Sequence, residues 1–184
     1  MYGLIHMAIE SYVRSRHGDA VWSRVLDAAG SPSSAFVSME AYPDQVTLKL
    51  VGAACGTLGV DVPTALREVG KCWTVFVAEK GYGHLLDASG NTLPELLRNL
   101  DQLHARINLI FPDLRTPGFS VTDERPGELV LHYYSERAGL GPLVVGLIEG
   151  LATRFNVTVD VTPFDCETPK PHAAFKVRWA PVAA

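Results

Sequence analysis

Apolar residues recur every three or four positions along most of the chain up to Ile107, and every second position through much of the remainder. Ile5, Ile9, Tyr12 and Val13 fall on one face of a helix over Tyr2–His17; Gly18 and Asp19 end that helix and cap the next, Ala20–Ala29, which Gly30 closes. Ser31 to Ser34 reads as a loop. Pro43–Leu58 forms another helix with Val46, Leu50, Ala53 and Ala54 inward. Val62-Pro63 opens a fourth, with proline in the first turn where its missing N–H does no harm, and this helix runs through Trp73 and Phe76 to about Lys80. Gly81, Gly83 and Gly90 punctuate a short connection. From Thr92 onward, Leu93, Leu96, Leu97, Leu100, Leu103 and Ile107 form one apolar stripe, and His104 falls on it. Phe111-Pro112 and Thr116-Pro117-Gly118 then break regular structure.

Four strands are expected after that break: Phe119–Asp123, Glu128–Ser135, Asn156–Thr162 and Ala173–Trp179. Arg125-Pro126-Gly127 turns the first into the second, and a helix over Leu140–Phe155 separates that pair from the other. The expected fold is α+β and a single domain. A helical N-terminal lobe, about residues 1–83, shares one cavity with a second lobe, about 84–184, built on a mostly antiparallel four-stranded sheet.

Two groups of residues in this plan carry chemistry. On the second strand, positions two apart point the same way, so Tyr133, Ser135 and Arg137 are expected in a row on one face. Two hydroxyls and a guanidinium suit an anion with carboxylate or phosphate groups, which arginine grips with two parallel hydrogen bonds. A solvated strand face has the same composition. His104 is the other group. A histidine on an apolar stripe is commonly a satisfied core residue, yet a neutral imidazole in an apolar pocket is also how haem iron is held. An imidazole for the iron and a donor row for two propionates explain each other.

Composition narrows the classes. Apolar residues make up 47% of the 184, enough for a large core or a ligand cavity. A net charge of −4 without a basic block argues against nucleic acid and anionic membrane surfaces. Apolar runs are broken well short of the roughly 18 residues that a membrane span needs. Glu10 and Arg14 interrupt the start as a signal peptide. Cys55, Cys72 and Cys166 are odd in number and widely spaced, which predicts no disulfide framework and a reducing, cytoplasmic location. Cys166 and His172 lack the further ligands of a zinc site. No nucleophile elbow, P-loop or carboxylate dyad is present, so no enzyme is expected.

The chain resembles the H-NOX domains, haem–nitric oxide/oxygen binding proteins related to the haem domain of soluble guanylate cyclase. The resemblance rests on the opening Met1-Tyr-Gly-Leu-Ile-His6, on Leu66-Arg-Glu-Val-Gly70 with Trp73 and Phe76, and on the helix carrying His104. It continues through Pro117, the Tyr133-x-Ser135-x-Arg137 motif and the segment from Arg137 to Gly146-Leu-Ile-Glu-Gly150. The motif is short, but a histidine about thirty residues upstream and the glycine-rich segment after it make the combination specific.

The resemblance implies haem b, with His104 as the iron ligand through Nε2 and the opposite position open to a gas. It places Tyr133, Ser135 and Arg137 on the propionates and Pro117 against the haem face. Ile5, Ile9, Trp73, Phe76, Leu143, Val144 and Leu147 would form the distal pocket. Oxygen-binding members supply a tyrosine where Leu143 stands here, so the resemblance implies a nitric oxide sensor that also binds carbon monoxide. Tyr134 points away from Tyr133's face and is a poor substitute, and the indole N–H of Trp73 is the one donor in the set. Nitric oxide would weaken or break the bond to His104, free its helix and let the lobes shift. No kinase or cyclase segment accompanies the domain, so the expected output lies on a separate protein such as a histidine kinase or a cyclic-di-GMP enzyme. An oxygen-binding or haem-carrying module is the alternative.

Overall fold

The computed structural model describes residues 1–31, 35–111, 114–164 and 172–182. Four helices come first: α1 Gly3–His17, α2 Asp19–Ala29, α3 Asp44–Leu58 and α4 Val62–Val77. Their ends follow from local chemistry. Gly30 takes the left-handed conformation (φ 59°) that closes α2. Asp61 caps α4 by accepting from the Thr64 N–H at 2.7 Å. At α6, Leu93–Ile110, Thr92 Oγ1 accepts from the Glu95 N–H at 3.4 Å while Glu95 Oε2 accepts from the Asn91 N–H at 2.9 Å.

Two expectations about the middle of the chain are corrected. The fourth helix stops at Val77 instead of about Lys80, and Ala78–Tyr82 forms a single π-helical turn. Gly81 sits there at φ 87°, a left-handed conformation that an α-helix cannot continue through. The next connection contains a short helix, α5, Gly83–Asp87.

The strands are β1 Gly118–Arg125, β2 Glu128–Tyr134, β3 Val157–Phe164 and β4 His172–Pro181, with α7 Gly141–Arg154 between the second and third. Their order is β1-β2-β4-β3, and every neighbouring pair is antiparallel. Phe119 opposes Tyr133, and Leu131 opposes Phe175. The turn between β1 and β2 is irregular: the register slips between Thr122 and Arg125, and Asp123 has φ 52°.

One face of the sheet packs on α6 and α7. Leu93, Leu96 and Leu97 of α6 meet Leu129 and Leu131 of β2, Ile148 and Leu151 of α7, and Phe175 and Val177 of β4. A second core joins α1, α2, α3 and α4 through Ile9, Val13, Trp22, Val25, Leu50 and Val69. The two cores are clasped by α4 against α7, which approach backbone to backbone. A Cβ at Gly146 would overlap the Arg67 carbonyl, and one at Gly70 would overlap the Leu143 carbonyl. Arg67 grips Glu149 with two hydrogen bonds beside this contact, one of them Nε to Oε2 at 2.9 Å.

Among the described residues no single helix is long and apolar enough to cross a membrane, and Cys55 and Cys72 are free thiols. Cys166 and most of the loop expected at Ser31 to Ser34 lie outside the described residues, as do Pro112 and the side chain of His172.

Candidate functional site

His104 projects from α6 beside Leu103, half-buried. Its Nδ1 lies 2.9 Å from the carbonyl oxygen of Pro117. A carbonyl only accepts, so Nδ1 carries the proton and donates, and Nε2 keeps a free lone pair. Burial pulls the imidazole pKa below its ordinary value, with the Pro117 carbonyl and the Asp101 carboxylate opposing the shift. The ring is therefore neutral at physiological pH, the form that binds a metal. Beside it stands Phe119, ring centroids 5.6 Å apart, and Phe119 in turn packs on Tyr133 at 5.4 Å.

Tyr133 is buried, and burial raises its phenol pKa, offset by a hydrogen bond with Ser135. The straight donor row expected from strand alternation is corrected here. β2 ends at Tyr134, and Ser135 Oγ accepts from the Arg137 N–H at 3.1 Å. A serine that captures the backbone two residues on turns the chain out of the strand. The three side chains still converge, through a turn instead of a pleat. Tyr134 is 43% exposed, on the opposite side from Tyr133, as the alternation predicts.

Arg137 donates from Nε to Asp44 Oδ2 at 3.0 Å and from Nη1 to the Arg115 carbonyl at 3.2 Å. Two of its five N–H groups are thereby used, and three remain for a ligand. The segment from Arg115 to Pro117 is tied at each residue. Arg115 O accepts from Arg137, Thr116 Oγ1 accepts from Asn108 Nδ2 at 2.8 Å, and Pro117 O accepts from His104. Sequence reasoning missed Asp44, Asn108 and Thr116, because only the fold brings them to the motif.

The expected distal residues occupy adjoining apolar clusters. Ile5, Ile9 and Leu143 pack in the helical core with Val69. Trp73 and Phe76, ring centroids 6.2 Å apart, pack with Ala8, Val77, Leu4, Met7 and Tyr82. Val144 faces the sheet-side core, and Leu147 is half-buried on α7 opposite Gly70. Tyr82, on the π-helical turn, is a phenol in the Trp73 cluster that the sequence did not single out. Lys80 lies over the Phe76 ring, 5.6 Å from its centroid.

The donor set fits haem: a neutral imidazole with Nε2 free for iron, and two hydroxyls with an underused guanidinium for carboxylates. Comparison with known proteins agrees. The family described as Haem-NO-binding matches residues 2–163, and the chain belongs to it. This is a family of gas-sensor domains, and haem is its cofactor. The chain is 29% identical over 168 residues to soluble guanylate cyclase gcy-31 of Caenorhabditis elegans, covering 91% of this chain and 24% of that protein. It is 31% identical over 160 residues to gcy-35 of the same organism, covering 84% and 23%. The chain thus spans about a quarter of the length of the curated relatives it matches. Its fold is that of a triple mutant of an H-NOX protein from S. oneidensis in the Fe(II) state, with TM-score 0.87 and 19% identity over 98% of this chain and 96% of that one. An H-NOX protein from S. oneidensis in the Fe(II)NO state aligns with TM-score 0.85 and 18% identity, over 98% and 99%.

Proposed function

We propose that this domain is a ferrous nitric oxide sensor in which His104 is the releasable iron ligand. The observation that carries the reading is the His104–Pro117 hydrogen bond, which orients the ring and leaves Nε2 without a hydrogen bond to any described residue. Haem, when bound, supplies the iron position at which a diatomic gas is taken up. The rest is done by the chain. Tyr133, Ser135 and Arg137 would hold the propionates, and Pro117, whose carbonyl accepts from the His104 ring, would press on the macrocycle. Ile5, Ile9, Trp73, Phe76, Leu143, Val144 and Leu147 keep water from the gas side.

Gas choice follows from that roof. Dioxygen gains most from a hydrogen-bond donor, and its absence in an apolar cavity costs of order 1–3 kcal/mol. Leu143 and Val144 offer no donor, and nitric oxide and carbon monoxide need little such help. Were Nε2 released from the iron, His104 would keep only its Nδ1 bond to Pro117. α6 would then be free to move, and the two cores clasped by α4 and α7 could shift between packings. A separate cytoplasmic protein, such as a histidine kinase or a cyclic-di-GMP enzyme, reads the change.

Absorption spectra of the ferrous protein under argon, nitric oxide, carbon monoxide and air test this. The expected result is a Soret band, adducts with both nitric oxide and carbon monoxide, and slow oxidation in air without a stable oxy form. A lasting oxy spectrum overturns the gas choice and makes the Trp73 indole the donor, in which case Trp73→Phe abolishes it. A colourless protein that takes up no added haem overturns the reading altogether.

A further inference from the structure

Arg137 is held by a residue far outside its own motif. Asp44, the first residue of α3 and 93 positions away, accepts from Arg137 Nε through Oδ2 at 3.0 Å. Its other oxygen, Oδ1, accepts from the Met1 amino group at 2.7 Å, so the carboxylate is fixed from two sides. These two contacts hold its pKa below the usual carboxylate range, the amino group first and Arg137 second. The guanidinium is likewise fixed at two points, by Asp44 at Nε and by the Arg115 carbonyl at Nη1. Two points define the plane of a rigid fork, and the remaining N–H groups are then aimed before any ligand arrives.

We propose that Asp44 is a positioning residue of the propionate clamp: it acts through Arg137, so that α3 completes a site whose other polar parts lie on α6, on β2 and in the segments that precede β1 and follow β2. The proposal rests on the haem reading above. It also gives the clamp a physical path to the iron ligand, since Arg115, whose carbonyl holds Arg137, stands two residues before Pro117, whose carbonyl holds His104. Two effects oppose each other in this geometry. Asp44 partly neutralises Arg137, which weakens its pull on an anion, but it also fixes the fork. The guanidinium is partly open to water, its side chain 27% exposed, so the charge effect is screened and the geometric effect dominates.

The test is the rate of haem transfer from the loaded ferric protein to excess apomyoglobin. Asp44→Ala raises that rate about tenfold, the size expected for losing the charge-assisted bond that orients the fork. Asp44→Asn, which keeps an acceptor for Nε, stays within about threefold of wild type. In an Arg137→Ala background Asp44→Ala adds nothing, because the residue acts only through the fork. If Asp44→Ala frays α3 by circular dichroism, Asp44→Ser replaces it, since serine keeps a polar atom at the helix start but is too short to reach Nε. An unchanged or slower rate in these variants overturns the proposal, and so does an equal acceleration with and without Arg137, which marks a purely structural role. A wild-type protein that binds no haem refutes the haem reading instead, whereas normal haem binding with an Arg137→Ala effect and no Asp44 effect refutes this proposal alone.

Discussion

Two histidines lie on apolar helical faces, His6 on α1 and His104 on α6, and their nitrogens are used in opposite ways. His6 is fully buried, with Nε2 2.7 Å from Thr47 Oγ1 and its ring 4.6 Å from Phe36 and 5.1 Å from Tyr42, centroid to centroid. Its Nδ1 is buried without a partner. A hydroxyl can donate or accept, so Thr47 does not fix the His6 tautomer, whereas the Pro117 carbonyl does fix that of His104. The outer nitrogen of His6, the one a ligand would reach, is taken by Thr47 in a site closed by aromatic rings. His104 spends its inner nitrogen and leaves the outer one free. Burial alone does not distinguish a ligand from a core residue; which nitrogen is spent, and on what, does.

The sharpest way to break this comparison is to remove each ring in turn. His104→Gly is expected to lose haem and to regain it with free imidazole, while His6→Leu keeps its haem. Absorbance at the Soret band, with and without imidazole, decides it. A His104→Gly protein that keeps its ferrous spectrum unaided refutes the assignment.

Acid separates the two next. Burial, and then the nearby amino-terminal charge, lower the His6 pKa from 6.5 to about 4. As pH falls below 6.5 the unfolded chain takes up a proton that folded His6 refuses, so stability drops through the window from 6.5 to about 4. The shift corresponds to about 3 kcal/mol at the acid end. Urea unfolding across that window is expected to show wild type losing stability relative to His6→Leu as pH falls. A pH-independent difference means that His6 protonates freely in the folded state.

Within the clamp, Arg137→Ala is expected to reduce haem retention more than Ser135→Ala. The first removes charge-assisted bonds, worth roughly 1.5–3 kcal/mol each, and the second a neutral one, worth about 0.5–1.5 kcal/mol. Equal retention in both variants and wild type contradicts the propionate role.

Two glycines are expected to respond with opposite signs, the smaller effect at Gly52. Gly146→Ala places a methyl group on the Arg67 carbonyl and is expected to cost about 1–3 kcal/mol in urea unfolding. Gly52, in α3, has open space where its Cβ would go, and Gly52→Ala is expected to stabilise by about 0.5–1 kcal/mol. Matching signs in the two variants mean that α4 and α7 are not in backbone contact.

The parts of the fold legible in the sequence are those that periodicity encodes. The leucine stripe that carries His104, the inward residues Leu50 and Ala54 of α3, and the alternation of β2 through Tyr133 and Tyr134 all read directly. The all-antiparallel order was nearly legible too, from one hairpin and one intervening helix. The illegible parts depend on groups without a side-chain signature. The carbonyls of Arg115 and Pro117 tie the site together, and every residue type carries the same carbonyl. Ser135 leaves the strand by bonding its own backbone, which alternation cannot reveal. Gly81 looks like any connecting glycine until its positive φ ends α4. Asp44 is an ordinary first-turn acid until the fold brings it to Arg137.

If Nε2 of His104 holds iron in the resting ferrous state and gives it up to nitric oxide, resonance Raman spectra read that bond directly, from protein grown with ordinary or ¹⁵N-labelled histidine. The expected result is a low-frequency iron–histidine band that shifts on labelling, survives in His6→Leu, and disappears when nitric oxide is added. A labelled band that persists at full intensity with nitric oxide bound, or no such band in the unliganded ferrous protein, would contradict it.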